Sequence, residues 1–534
     1  MAKYFYIFLI IACSIGGQTR DEANNNLFTS DNFDGTYSNP IIHADYSDPD
    51  VIRVEDDFYL VSSSFSQFPG LPVLHSKDLV NWKIISHAVK EYPFDEFKKP
   101  QHGNGIWAPS IRYHEGYYWI FFGDPDHGIL MTKAKNPAGP WTPLHLVAKA
   151  NGWIDPCPLW DDDGQAYLIH AWAKSRSGIN AILTLHRMSS DGTKLLDDGL
   201  PVFDGKNIHP TIEGPKLYRK NDFYYIFAPA GGVKTGWQTV LRSKNIYGPY
   251  ESRVVLEQGS TNINGPHQGA MVELKSGESW FVHFQDKFAY GRIVHLNPVS
   301  WKDNWPIIGI DFDQNGIGEP VQVYNKPDVT KIEKIALLQT SDEFDKSTLG
   351  LQWQWEALGN SKWISLNDKK GSLRLYCIQN SSKLLSLKDL PNIIGQKFPA
   401  NEFSVEVKMT VNLKDSSDSG GLVILGSDYS AMEVSNSGSG LKLIKKTFHE
   451  KNKKEVIEEI IPLTKNDIFL KIYIKNGAIC SFAYSYEGKS YHLIGKEFFA
   501  QPGRWVGAKI GLYAISGKAK SKSYVDVDYI RFSK

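Results

Sequence analysis

Apolar and polar residues alternate along most of the chain in runs of about four to eight, separated by Gly, Asn, Asp, Ser and Pro. No long segment carries the three-and-four spacing of an amphipathic helix, so the pattern predicts a nearly all-β protein. One plan recurs five times: a polar or Pro-containing corner, a strand, a tight turn, and an aromatic-rich strand. The copies read SDPDVIRVEDDFYLVSSS, WAPSIRYHEGYYWIFFG, IDPCPLWDDDGQAYLIHAW, IEGPKLYRKNDFYYIFAPAGG and HQGAMVELKSGESWFVHFQ. Their aromatics Phe58, Tyr117, Tyr167, Phe223 and Trp280 stand about 50 to 60 residues apart, within reach of a propeller-blade period. The turns inside them, such as Glu115-Gly116 and Lys220-Asn221-Asp222, hold the residues that two-residue hairpins favour. Later segments, HSKDLVNW, TKAKNPAGPW and RSKNIYGPY, supply outer strands. The prediction is a five-bladed β-propeller over residues 33–325, with a β-sandwich of coincidental internal likeness as the competing fold.

Residues 326–340 read as a polar, Pro-containing linker. Beyond it the blade signature stops, and residues 341–534 alternate with period two through EFSVEVKMTV, DIFLKIYIKN, AKIGLYAI and SYVDVDYIRF. That pattern predicts a two-sheet sandwich or jelly roll. The start of the chain differs from both. Lys3, an apolar run over residues 4–12 and small residues after it make residues 1–20 an export signal, far too short to span a membrane. Ile10-Ile11-Ala12-Cys13 is similar to a lipobox, in which Cys13 would be lipidated; a plain secretory signal is the equal alternative. Either reading places the protein outside the cytoplasm, in the periplasm or on the surface of a bacterium.

Lys+Arg and Asp+Glu both number 59, a balance that argues against a nucleic-acid partner and leaves a lipid anchor as the only membrane contact. The 15 Trp and 26 Tyr suit stacking on sugar rings. Past the leader, Cys157, Cys377 and Cys480 are an odd set at scattered spacings, neither a disulfide framework nor a zinc site. One Cys377–Cys480 bridge is conceivable, but the spacing argues against it.

In a propeller, equivalent corners of successive blades converge on the axis. The repeat alignment puts Asp48, Pro109, Asp155, Glu213 and His267 at or near corresponding corners, so three carboxylates meet at one mouth of one funnel. Such carboxylates repel, and at least one should keep its proton near neutrality. One charged and one neutral carboxyl is the pair a glycosidase needs. The remaining acids, Asp50 among them, read as turn or strand-end residues.

NPIIHADYSDPDVIRVEDDFYLVSSSF, GIWAPSI, IDPCPLW and TIEGPKLY resemble the blade-start motifs of glycoside hydrolase family 43, in order and across all five blades. The resemblance implies Asp48 as general base, Glu213 as general acid, and Asp155 as the residue that tunes and orients the acid. It also implies inversion, with base and acid roughly 6.5–9.5 Å apart. By motif, Phe65, Trp107 and Arg292 fall at substrate-binding positions, with blade packing or a structural ion pair as their alternatives. His267 matches a histidine that often accompanies a calcium ion, or else is a satisfied buried side chain; no cofactor is needed for the chemistry. The second domain resembles the concanavalin-like sandwich of xylosidase-type members. There, Asp342, Glu343, Asp345, Asp526 and Asp528 are either calcium ligands or solvent-facing acids. Trp353, Trp355 and Trp363 are either a sugar platform or core. A loop of this domain closing the funnel would favour exo-action. The expected function is therefore an exported, inverting exo-glycosidase releasing α-L-arabinofuranose or β-D-xylose from hemicellulose-type chains, arabinofuranose narrowly favoured. A retaining fructan hydrolase expects an Asn-Asp-Pro-Asn first motif and a Glu-Cys acid motif, where this chain has Ser47-Asp48-Pro49-Asp50 and Glu213-Gly214. A non-catalytic sugar-binding propeller is the third reading, and it would tolerate loss of the acid or base.

Overall fold

The computed structural model describes residues 28–329, 335–379 and 386–534. Each repeat forms a four-stranded antiparallel sheet with its strands in chain order. The innermost strands are Asp50–Val54, Trp107–His114, Trp153–Trp160, Lys216–Lys220 and His267–Glu273, in blades one to five. The turns do what their residues allow: Glu115 and Gly116 both take positive φ, as do Gly164, Asn221 and Gly277, which matches the twist of a tight hairpin.

Apolar layers fill the spaces between blades. Leu60 and Val282 belong to the layer between blades one and five, and Ile120 and Val61 to that between one and two. Blades two and three share Phe121 and Leu168, three and four Ile169 and Ile226, four and five Phe227 and Phe281. Chain ends close the ring: Thr36–Ser38 pairs antiparallel with Val323–Asn325. Tyr37, fully buried there, donates its hydroxyl to the Leu296 carbonyl at 2.8 Å.

The second unit stacks two eight-stranded sheets. Phe403–Asn412 alternates buried and half-buried side chains along its whole length, as a strand with one face in a core must. Cys157, Cys377 and Cys480 are buried free thiols, so the Cys377–Cys480 bridge is not formed. Trp353 and Trp355 are core residues, and Trp363 packs edge-on against Trp355. The acids read as calcium ligands or as solvent-facing are instead mostly paired: Glu343 with Arg531, Asp526 with Arg374, and Asp528 with Lys369 and Lys408. Asp342 accepts from the Trp353 indole. Their partners leave no shared oxygen cage.

Propeller and sandwich are joined by backbone as well as side chains. Phe68 and Trp355 exchange N–H···O bonds, Leu358 N–H donates to Phe97, and Ala508 N–H donates to Ala289. Ala289, Tyr290 and Ile293 of the propeller sit in the sandwich core itself. The proposed export signal and Cys13 lie outside the described residues.

Candidate active site

Each innermost strand is entered through one residue with left-handed backbone: Asp48 (φ 55°), Ala108 (φ 30°), Asp155 (φ 58°), Gly214 (φ 60°) and Gln268 (φ 35°). Proline follows in four blades and Gly269 in the fifth. This corrects the sequence alignment by one residue. Asp48 and Asp155 are equivalent, but Glu213 and His267 stand one position earlier, beside Ser47, Trp107 and Ile154. Non-glycine residues adopt this conformation at a cost of about 1–2 kcal/mol, and such strain gathers where a side chain must be aimed. Here it lets both the strained residue and its predecessor reach the axis.

They reach one cavity of 410 Å³ at one end of the ring, lined by Asp48, Phe65, Trp107, Asp155, Glu213, His267 and Arg292, with Trp505 from the sandwich. Every described residue assigned to the site from sequence lies in it.

Asp48 is 4% exposed and is held by three donors. Ser47 and Ser63 hydroxyls donate to Oδ2 at 2.8 and 2.5 Å, and Arg292 Nη1 donates to Oδ1 at 3.0 Å. Asp155 is more enclosed. Burial, then the charge of Glu213, pushes its carboxyl up to about 8 against the pull of one N–H, from Gly214 at 2.8 Å. Of the three carboxyls, Asp155 is thus the one whose surroundings favour the neutral acid. Glu213 is the accessible member, a third of its side chain exposed, with Oε1 3.0 Å from His267 Nε2.

The walls are aromatic. Trp107 lies edge-on to Phe65 and to Trp505, each at 6.2 Å between centroids. Arg176 covers the Trp107 ring at 5.7 Å while its guanidinium grips Asp126 and Asn104. Two residues beyond the left-handed position, Asp50, Ser110, Cys157 and Lys216 are all buried. Asp50, read from sequence as a strand-end acid, is wholly buried and binds Arg112 at 2.8 Å. The same guanidinium reaches Cys157 Sγ at 2.9 Å, and fully buried Lys216 donates to the Pro109 carbonyl at 2.9 Å.

Calcium wants six to eight oxygen donors. His267 offers a nitrogen already facing Glu213, and among the described residues no three His, Cys, Asp or Glu side chains gather as a metal site. Its Nδ1 is buried without a partner, yet one imidazole does not make the oxygen cage. These residues do not fit a protein-built calcium site.

Trp505 escaped the sequence reading because nothing periodic marks it and it lies in the other domain. Arg112 and Lys216 escaped it too, for on a strand they read as outward-facing cations.

Three carboxylates collected on the axis of a five-bladed propeller beneath aromatic walls, the most enclosed of them pushed toward its neutral form, make the site of a glycoside hydrolase. Residues 37–306 match Glycosyl hydrolases family 43, and residues 341–533 match the Beta xylosidase C-terminal Concanavalin A-like domain. The chain belongs to glycosyl hydrolases family 43. It is 41% identical over 496 residues to a provisionally named beta-xylosidase of Xylanibacter ruminicola, covering 92% of this chain and 88% of that one. It is 30% identical to the non-reducing end alpha-L-arabinofuranosidase of Bacteroides ovatus, covering 93% and 94%. The solved xylan beta-1,4-xylosidase from Bacillus halodurans superposes with a TM-score of 0.83 at 25% identity, covering 93% and 100%.

Proposed function

We propose that this glycoside hydrolase is exported and removes single terminal β-D-xylosyl residues from hemicellulose-type chains with inversion. Asp48 is the base, Glu213 the acid, and Asp155 the residue that keeps a proton available to Glu213. The observation that carries this reading is the asymmetry of the three carboxylates in one cavity. Asp48, with donors on both oxygens, is oriented to take a proton from water. Glu213 alone has an exposed face toward a leaving group, and buried Asp155 holds the cluster's proton beside it. Protonation of the departing oxygen and deprotonation of the attacking water then occur on opposite faces of the ring. Trp505 supports exo-action, because it walls a funnel that would otherwise run on as a cleft.

The sequence alone leaned narrowly toward arabinofuranose. The name of the 41% identical relative favours xylose, and that of the Bacteroides ovatus relative keeps arabinofuranose as the second reading. Aryl β-xyloside and aryl α-arabinofuranoside offered side by side decide between them. Proton NMR of the first product decides the stereochemistry: inversion is expected as α-xylose from the β-xyloside, and retention would overturn the base assignment.

A further inference from the structure

Asp45 lies three residues before Asp48, within the first blade-start motif but with no role assigned to it there, and is 6% exposed. Its two oxygens take one backbone N–H from each domain. Oδ1 accepts from Arg292 at 2.8 Å, and Oδ2 accepts from Gly507 of the sandwich at 2.9 Å. The fit leaves no slack. A Cβ on Gly291 would lie 2.4 Å from the Asp45 Cγ, and one on Gly507 would lie 2.7 Å from the Gly291 nitrogen. Next to it, Tyr46 N–H donates to the Arg292 carbonyl at 3.1 Å. Ser47 Oγ and Asp48 Oδ1 receive the Arg292 guanidinium at 2.8 and 3.0 Å. Four consecutive residues thus grip Arg292 from backbone to tip, and the first also holds the loop that carries Trp505, whose ring stands 5.5 Å from that guanidinium.

We propose that Asp45 is a positioning residue that latches the sandwich to the pocket, fixing Trp505 and Arg292 relative to each other so that the cavity has one shape. A carboxylate is needed because two donors converge on it. An amide offers one acceptor oxygen and turns its own N–H groups on the other donor, leaving a buried N–H without a partner.

The test uses the full chain with Asp45→Asn, Trp505→Ala and the double variant. Hydrogen exchange is followed by mass spectrometry in peptides covering residues 288–294 and 503–508, with residues 403–412 as internal reference. In Asp45→Asn, exchange in both segments should accelerate by about tenfold or more while the reference stays put. KM for the aryl glycoside should rise about fivefold with kcat changed less, and the double variant should be no worse in KM than Trp505→Ala, since both changes act on one element. Unmoved exchange at residues 503–508, or additive KM effects, would overturn the latch. Its kinetic arm rests on the glycosidase reading, and the exchange arm does not. A wild-type protein that cleaves neither glycoside but whose segments respond would sink the function and keep the latch. Should Asp45→Asn fail to fold, wild-type protein supplies the decision: the two segments should open as one unit at matching rates, and unequal rates would refute the proposal.

Discussion

In the roles proposed for them, Glu213 and Asp155 carry different burdens, and substitution separates them. Glu213→Gln should lower cleavage of substrates with poor leaving groups by about 10²–10⁴-fold, since the departing oxygen loses its proton donor. An activated aryl glycoside, whose leaving group departs as a stable anion, should fall far less; steady-state kinetics on a pair of leaving groups checks this. Asp155 has a second signature, in stability. Its carboxyl, at about 3.9 in the unfolded chain, is pushed up to about 8 in the fold by burial and by the charge of Glu213. Between these values the folded protein binds more protons than the unfolded one. The stability this group confers is complete below the lower value and is lost as pH rises through the upper one. Asp155→Asn should flatten that decline, so the drop in Tm between about pH 5 and about pH 8 should be smaller in the variant than in the wild type. An equal drop in both would place the cluster's proton elsewhere.

At the scale of elements, the short helix Lys174–Ser177 and the start of blade two act together, because Arg176 ties the helix to Asp126 and Asn104 while covering Trp107. Arg176→Ala should free the Trp107 ring and raise KM about threefold with kcat nearly unchanged, given the modest worth of a single cation–π contact. The blades themselves were legible in sequence, as were their turns, because alternation and turn chemistry are local properties. All three carboxylates were legible because they recur at a blade corner. Their register was not. Asp48, Ala108, Asp155 and Gln268 occupy a backbone conformation that sequence signals chiefly through glycine, which stands there in a single blade, at Gly214. An alignment by residue type therefore joined Glu213 to Asp48, one place out of phase. The charge pairing of the sandwich acids was likewise hidden, since Glu343 and Arg531 lie at opposite ends of that domain in sequence.

Across the whole molecule, the two domains share a core through Ala289, Tyr290 and Ile293 and a cavity through Trp505. A chain ending in the linker would uncover those apolar residues and strip Phe68 and Phe97 of their backbone partners. Such a truncation should be poorly soluble, and whatever remains soluble should be nearly inactive; soluble yield and residual hydrolysis measure both.

The three-residue ladder between Thr36–Ser38 and Val323–Asn325 has a consequence for the order of events during synthesis. The strand that must meet the end of the ring is made first, and its partner emerges only after all five blades. Tyr37 must therefore wait as an unpaired apolar segment until translation has passed residue 325, and blades one and five find each other last. Joining residue 534 to residue 28, which line one surface pocket, and opening the ring between other blades would move that wait elsewhere while leaving the sandwich attached, so such a permutant should differ from its parent in refolding rate more than in stability.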